Sequence, residues 1–205
     1  MRLGIMGGTF DPIHRGHLDI ARAAMAEAQL QEMLFLPDGD PPHKQPGAPK
    51  EDRLAMVRLA IAGIPGFFAS DLELRRAGTT YTVDTLEELL SQEPGRELYY
   101  IIGSDTLKLF PTWKTAWKVA GLCRMLVAPR PGDDMQETRW FQRKLFAEYG
   151  LYSTLLSKAG PCISSTMIRG LAQQGQPVDA LVPAAVARYI LEKGLYLKPG
   201  DGAAP

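Results

Sequence analysis

The sequence of 205 residues is poor in cysteine, and contains only Cys123 and Cys162. The two lie far apart and form no C-x-x-C motif, which argues against a fold stapled by disulfides. We expect both thiols to be reduced and buried in the core of a cytoplasmic protein. A disulfide between them is the less favoured alternative.

Excess charge and long apolar runs are also missing. Lys plus Arg and Asp plus Glu both number 23, so the chain has no overall basic field for nucleic acid and no acidic tail. No apolar run approaches the ~20 residues of a membrane-spanning helix, and "MRLGIMGGTF" is too short and glycine-broken for a signal peptide. We expect binding to neither nucleic acid nor membranes. The oligomeric state stays open, and a homo-oligomer is compatible with the sequence.

The chain does contain short apolar runs that alternate with amphipathic segments. The alternation predicts an α/β fold, a Rossmann-like doubly wound parallel sheet with helices on both faces. The predicted strands lie within residues 2–6, 32–38, 67–74, 97–105 and 123–132. The predicted helices lie within residues 16–30, 50–64, 82–94, 106–122 (broken by a proline), 165–175 and 182–197.

The length predicts one domain over residues 1–197, whose part 163–197 is a small C-terminal helical region. Residues 198–205, "KPGDGAAP", are expected to be a frayed tail. The charged stretch 131–150 is predicted to be helical. We interpret it as a solvated insert, and a partner-binding surface is the alternative.

Two of the three histidines lie in "GGTFDPIHRGH", residues 7–17, between a predicted strand and a predicted helix. Gly7 and Gly8 would let the backbone approach a ligand, and Gly16 would leave room for a base or ribose. His14 and His17 would face the free N–H groups of the helix N-terminus, which suits a polyanion. Surface or capping histidines are the plainer alternative. Zinc is disfavoured, since two histidines are too few ligands.

A second candidate anion site is "ISSTMIR", residues 163–169, just before a predicted helix. The hydroxyls of Ser164, Ser165 and Thr166 and the free N–H groups of that helix would form a cradle for phosphate. Arg169, one turn further, would add a guanidinium for phosphate oxygens. An N-cap beside a surface arginine is the alternative interpretation.

Other polar and aromatic residues follow the strand predicted at 97–105, in "IIGSDTLKLFPTWK", residues 101–114. Asp105 follows Gly103 at the carboxyl end of that strand, where open α/β sheets bind ligands. Its carboxylate could accept hydrogen bonds from ribose hydroxyls. Trp113 could stack on a flat aromatic ring or pack in the core, and the sequence alone does not decide.

These motifs resemble those of a known family. "GGTFDPIHRGH" is similar to the nucleotide-binding loop of the H-x-G-H nucleotidylyltransferase superfamily, and "ISSTMIR" to its second phosphate motif. "IIGSDTLKLFPTWK", "LPDGDPPHKQ" (36–45) and "TYTVDT" (80–85) resemble segments of nicotinate mononucleotide adenylyltransferases. The resemblance covers about residues 1–197.

The resemblance implies three groups of site residues. The catalytic residues would be His14, His17, Lys44 and Arg169. ATP would be bound by Gly7, Gly8, Thr9, Phe10, Gly16, Ser164, Ser165, Thr166 and Arg130, with Thr9 and Phe10 also shaping the loop around the mononucleotide. The mononucleotide would be bound by His43, Thr82, Gly103, Asp105 and Trp113.

The resemblance also implies the reaction. The phosphate of nicotinate mononucleotide would attack the α-phosphorus of ATP in line, giving deamido-NAD and pyrophosphate without a covalent enzyme intermediate. Mg²⁺ is expected to be bound through the phosphates of ATP, with no metal site in the protein. Three alternatives stay open: the amide mononucleotide as substrate, pantetheine phosphate as substrate, and a non-catalytic nucleotide sensor.

Overall fold

The computed structural model describes residues 1–39 and 46–197. Within this part, a six-stranded sheet is flanked by eight α-helices. The strands are β1 (Arg2–Gly8), β2 (Glu32–Pro37), β3 (Phe67–Ala69), β4 (Glu97–Gly103), β5 (Arg124–Ala128) and β6 (Ser153–Leu155). The helices are α1 (Arg15–Ala28), α2 (Lys50–Ile61), α3 (Thr82–Gln92), α4 (Ser104–Leu109), α5 (Ala116–Leu122), α6 (Met135–Tyr149), α7 (Ser165–Gln173) and α8 (Ala184–Glu192).

The sheet is parallel throughout and its strand order is β3-β2-β1-β4-β5-β6. The chain runs outward from β1 to β3, then returns to the other side of β1 and runs outward again. The strand order therefore reverses between β1 and β4, and ligands of doubly wound sheets bind at the carboxyl ends of such strands. The predicted α/β fold is confirmed.

Each face of the sheet has its own apolar core. Buried side chains of α1, α2, α7 and α8 pack on one face, and those of α3, α4, α5 and α6 pack on the other. The C-terminal helices thus share a core with α1 and α2, which brings the chain after residue 163 against the opening loop.

The two glycines of the opening motif belong to the end of β1, although the predicted strand stopped at residue 6. Gly7 pairs with Leu36 and Gly8 with Pro37. Gly7 has a packing reason, because a Cβ there would lie 2.3 Å from the hydroxyl oxygen of Tyr100. The left-handed residue of the loop is Phe10, with φ 47°.

The segment 131–150 is helical, as predicted, but its interpretation as a solvated insert is wrong. Helix α6 is the crossover from β5 to β6, a short strand that the sequence analysis missed. Leu145 is fully buried in the core that α6 shares with α4 and α5, and the Gln142 side chain donates to the carbonyl of Ser153 at 3.1 Å. The charged residues that suggested an insert cover only the outer face of this helix.

Two smaller expectations are also corrected. Strand β3 stops at Ala69 and not near residue 74. The chain turns after Ala69, and Arg75 N donates to the carbonyl of Asp71. Both cysteines are free, but only Cys123 is buried, while Cys162 is exposed just before α7.

None of the helices in residues 1–39 and 46–197 is long and apolar enough to cross a membrane. Residues 198–205, predicted to be a tail, lie outside the described residues, as do His43 and Lys44.

If α6 is integral to the fold, Leu145→Ala should destabilise the protein by about 2–5 kcal/mol, since it leaves a cavity under the helix. Leu191→Ala is the matched control, because Leu191 on α8 is 76% exposed and its loss should change little. Denaturant unfolding of both variants measures the difference. Equal stabilities would contradict the assigned role of α6.

Candidate active site

Three of the sequence motifs lie at or beside the carboxyl ends of β1 and β4. The opening loop leaves β1 and leads into α1, while Gly103 ends β4 and leads into α4. Helix α7 contacts the opening loop, so two helix N-termini border this loop. The carboxyl edge of the two central strands is therefore the candidate site.

His14 and His17 form a stacked pair at the start of α1. His14 is the N-cap residue, and the two ring centroids lie 3.7 Å apart. The backbone N–H of His14 donates to Nδ1 of His17 at 3.2 Å. Because Nδ1 accepts a hydrogen bond, the neutral ring of His17 carries its proton on Nε2, which leaves that atom as a donor.

Burial keeps both histidines neutral. It lowers the pKa of His14 from 6.5 to about 4. It also lowers the pKa of His17 well below its ordinary value, and the neighbouring His14 lowers it further. Nδ1 of His14 is buried and has no hydrogen-bond partner among the described residues. It is therefore a polar atom of the site that could still form a hydrogen bond.

Gly16 is closely surrounded by side chains of the protein. A Cβ at this position would lie 3.0 Å from Nδ1 of His14 and 3.3 Å from Pro161. The absent side chain thus makes room for the His14 ring, and the predicted room for a base or ribose stays a prediction.

The ISSTMIR segment contacts the opening loop directly. Ser164 caps α7, because its side chain accepts from Met167 N at 3.2 Å. The hydroxyl of Ser165 donates to the carbonyl of Pro12 at 2.9 Å. Both hydroxyls thus have protein partners in this structure, and the cap leaves other N–H groups of the first turn without an acceptor inside the helix.

Arg169 reaches back toward the N-terminus of α7, as predicted. One guanidinium nitrogen donates to the carbonyl of Asp11 at 2.8 Å and lies 3.5 Å from its carboxylate. The other donates to the hydroxyl of Thr166 at 3.4 Å. The arginine is a third exposed, so it can still meet an anion from solvent.

The predicted mononucleotide side contains an aromatic cluster. Trp113 is half-buried, with its ring edge-on to Tyr100 at 6.0 Å and tilted against Phe110 at 5.5 Å between centroids. Thr82 hydrogen-bonds the Tyr100 hydroxyl, and that hydroxyl also lies against Gly7. Trp113 therefore packs on the edge of the core and keeps an accessible part of its ring.

Asp105 and Arg130 are paired with each other. Their side chains lie 2.8 Å apart and are more than half exposed. Gly103 is packed beneath them, since a Cβ there would be 2.5 Å from Asp105 Oδ1. Their predicted contacts with ribose and nucleotide stay predictions, and such contacts would compete with the ion pair.

No metal cluster is found in the part of the chain that the structure describes. There, no three His, Cys, Asp or Glu side chains lie together as ligands.

The sequence analysis missed Arg53, which supports the opening loop. It is 1% exposed and donates to the carbonyls of Thr9, Asp38 and Gly39, at 2.7, 2.8 and 3.0 Å. Thr9 in turn donates to the Asp38 carboxylate at 3.1 Å. A signal was present, because Arg53 occupies the apolar stripe of α2.

Glu73 is a second residue that was missed, and nothing in its local sequence marks it. The residue is 7% exposed, and its carboxyl accepts a hydrogen bond from the Thr85 hydroxyl at 2.7 Å. Burial raises its pKa from 4.5 to about 7, against the opposing effect of the Thr85 hydrogen bond. The backbone of Glu73 also packs on Gly39, where a Cβ would lie 2.6 Å from its carbonyl.

His14 and Glu73 should give opposite pH dependences of stability. The His14 imidazole has a pKa of 6.5 in the unfolded chain and of about 4 in the folded protein. Its contribution to the free energy of unfolding is therefore lost as the pH falls from 6.5 to 4. The unfolded Glu73 carboxyl ionises near pH 4.5 and the folded one near pH 7, so its contribution is lost as pH rises.

Comparison of the wild type with His14→Gln and Glu73→Gln isolates each contribution. The stability lost in His14→Gln should grow with rising pH, and that lost in Glu73→Gln should shrink, each by about 3 kcal/mol across its window. Urea unfolding at several pH values measures both. Two parallel pH profiles would show that the folded pKa values are not shifted.

Comparisons with known proteins identify the family and the fold of the chain. The family model described as Cytidylyltransferase-like matches residues 5–171. A "Probable nicotinate-nucleotide adenylyltransferase" of Synechococcus sp. (strain JA-3-3Ab) is 44% identical over 200 residues, 97% of this chain and 96% of that protein. One of the same name from Dehalococcoides mccartyi (strain CBDB1) is 43% identical over 203 residues, 97% and 98% of the two chains.

Solved structures show the same fold. The Plasmodium falciparum nicotinic acid mononucleotide adenylyltransferase complexed with NaAD has a TM-score of 0.77 at 18% identity, covering 95% of this chain and 97% of its own. The same enzyme complexed with APC has a TM-score of 0.73, with 95% and 96% covered. With the matched sequence family and the near-complete alignment to both curated relatives, the chain belongs to the nicotinate-nucleotide adenylyltransferase family of nucleotidyltransferases.

Proposed function

We propose that the protein transfers the AMP part of ATP to nicotinate mononucleotide, giving deamido-NAD and pyrophosphate. One observation carries the proposal: Ser165 and Arg169 of α7 contact Pro12 and Asp11 of the opening loop. These contacts bring two candidate phosphate sites together beside the histidine pair. The names of the curated relatives support the same reaction.

The chemistry needs no protein nucleophile. A phosphate oxygen of the mononucleotide attacks the α-phosphorus of ATP, and the bond from that phosphorus to the oxygen bridging to the β-phosphate breaks. The electron pair leaves with pyrophosphate. The protein's task is to position both substrates and to stabilise negative charge in the transition state.

We assign the histidine pair to the phosphates of ATP, with His17 closest to the α-phosphate. A neutral His17 that accepts at Nδ1 offers Nε2–H as a donor. A donor of this kind stabilises the developing charge without a proton transfer. Gly7, Gly8, Thr9 and Phe10 would line the loop around the nucleotide.

Arg169 and the hydroxyls of the α7 N-terminus would hold the β- and γ-phosphates. The guanidinium is bound to the loop through Asp11, so its direction is set before the ligand arrives. Lys44 would neutralise charge between the substrates, and His43 would lie near their phosphates. These last two roles come from the sequence resemblance.

The mononucleotide would lie on the side of Thr82 and Trp113. Trp113 has an accessible ring for a pyridine, and backbone N–H groups near Thr82 could select a carboxylate, which only accepts hydrogen bonds. Asp105, beside Gly103, would accept from ribose hydroxyls after separating from Arg130.

Mg²⁺ would be held mainly by the phosphates of ATP and by water. Asp11 is a poor ligand for it, because Gly47 N, Ala48 N and the Tyr196 hydroxyl already donate to its carboxylate. When bound, the ion would neutralise phosphate charge.

A cytoplasmic location and self-association stay predictions.

The reaction is tested by measuring pyrophosphate release with ATP and Mg²⁺, together with either nicotinate mononucleotide or its amide. We expect strong preference for the acid, because the amide presents donors where the pocket would donate. Equal use of both would keep adenylyl transfer and discard the carboxylate contact. Release only with pantetheine phosphate, or ATP binding without release, would contradict the proposal.

His17→Ala should reduce kcat by roughly 10²–10³, the effect of losing one transition-state donor. Asp19→Ala is the control, since Asp19 is exposed on the same helix and its side chain contacts Arg22 at 3.4 Å. Steady-state kinetics of both variants, with thermal unfolding to check the fold, give the result. A kcat unchanged from wild type would remove His17 from the mechanism.

A further inference from the structure

The carboxylate of Asp11 joins four separate segments of the chain. It accepts from Gly47 N at 2.7 Å, from Ala48 N at 3.1 Å and from the Tyr196 hydroxyl at 2.9 Å, and it lies 3.5 Å from Arg169. The side chain is only 5% exposed. A buried carboxylate with this many donors has one orientation, because turning it would leave several of them without an acceptor.

Tyr196 is the least expected member of this group. It lies beyond α8, close to the end of the described residues, and no sequence motif includes it. Its ring packs on Gly47, where a Cβ would come within 3.2 Å of both the Tyr196 ring and the Arg169 side chain. The aromatic ring, the glycine and the arginine therefore fit together without space for another side chain.

The Tyr196 hydroxyl acts as a permanent donor. Burial, followed by the charge and hydrogen bond of Asp11, raises its pKa far above the ordinary value. The hydroxyl therefore stays protonated at neutral pH, where it donates to the carboxylate beside it. The contact is a fixed support and not a pH switch.

The same carboxylate orients Arg169 and Gly47–Ala48. The Arg169 guanidinium contacts both the backbone carbonyl and the carboxylate of Asp11. Residues 47 and 48 come just after 40–45, the segment with His43 and Lys44. A change at Asp11 would thus alter the direction of the Arg169 guanidinium. It would also release the backbone at residues 47 and 48, which directly follows the segment with His43 and Lys44.

We propose that Tyr196, acting through Asp11, is a positioning residue that sets the Arg169 guanidinium for the outer phosphates of a triphosphate. That this triphosphate is ATP rests on the proposed function. That the site binds a triphosphate does not depend on which reaction the protein catalyses. Tyr196 touches no reacting atom in this arrangement. Its loss should therefore affect phosphate affinity more than the chemical step.

The test is Tyr196→Phe, which removes one oxygen and keeps the ring on Gly47. Tyr189→Phe is the matched control, because the Tyr189 hydroxyl on α8 also donates to a carboxylate, Asp52, at 2.7 Å. Calorimetry should measure binding of inorganic tripolyphosphate, ATP and AMP to the intact protein. Kinetics should measure KM for the mononucleotide.

Tyr196→Phe should weaken binding of tripolyphosphate and ATP by about five- to tenfold, the loss of part of one charge-assisted hydrogen bond. Binding of AMP and the KM for the mononucleotide should stay as in wild type. Tyr189→Phe should leave all four values unchanged. Unaltered tripolyphosphate binding in Tyr196→Phe, or equal losses for every ligand, would overturn the proposal.

A double-mutant comparison separates positioning from general damage. In an Arg169→Ala background, Tyr196→Phe should have no further effect on tripolyphosphate affinity, since the residue through which it acts is gone. Additive losses would overturn the proposal. If the wild type binds tripolyphosphate and the variants behave as expected, but no pyrophosphate is released with the mononucleotide, the proposed function fails and the role of Tyr196 stands.

Discussion

Two hydrogen bonds between the opening loop and α7 hold the candidate site together. They join the Ser165 hydroxyl to the Pro12 carbonyl and the Arg169 guanidinium to the Asp11 carbonyl, across more than 150 residues of sequence. Without them the sheet would still form from its apolar strands, and α1 and α7 would still share an apolar core. That core alone would not fix the direction of the polar groups at the two helix N-termini.

Burial disfavours the charged forms of three groups in and beside the candidate site. It lowers the pKa of His14 and His17 and raises that of Glu73. Asp11 and Arg169, two charged groups by the opening loop, are paired with each other, and the histidines act as neutral groups. This arrangement suits a reaction in which the substrates carry most of the charge, because it offers hydrogen bonds that need no reorganisation when charge moves.

Much of the architecture could be predicted from the sequence, since buried strands and amphipathic helices leave clear periodic patterns. The positions of the motifs at strand ends and helix starts were predictable for the same reason. Contacts between distant residues were not. The sequence around each residue does not show that Asp105 pairs with Arg130 or that the Glu73 carboxyl is buried. It also does not show that the His14 ring lies next to the position that a Cβ at residue 16 would take. The charged surface of α6 hid its buried Leu145, and β6 was too short to give a pattern.

The contact between Asp11 and Tyr196 spans 185 residues and has a consequence for biosynthesis. During synthesis the opening loop leaves the ribosome long before Tyr196 does, because the chain is made from its N-terminus. The strands of the sheet are all made before α8, but until residue 196 has emerged the Asp11 carboxylate lacks one of its donors. A chain that stops short of residue 196 would therefore hold the Asp11 carboxylate, and the Arg169 guanidinium beside it, less firmly.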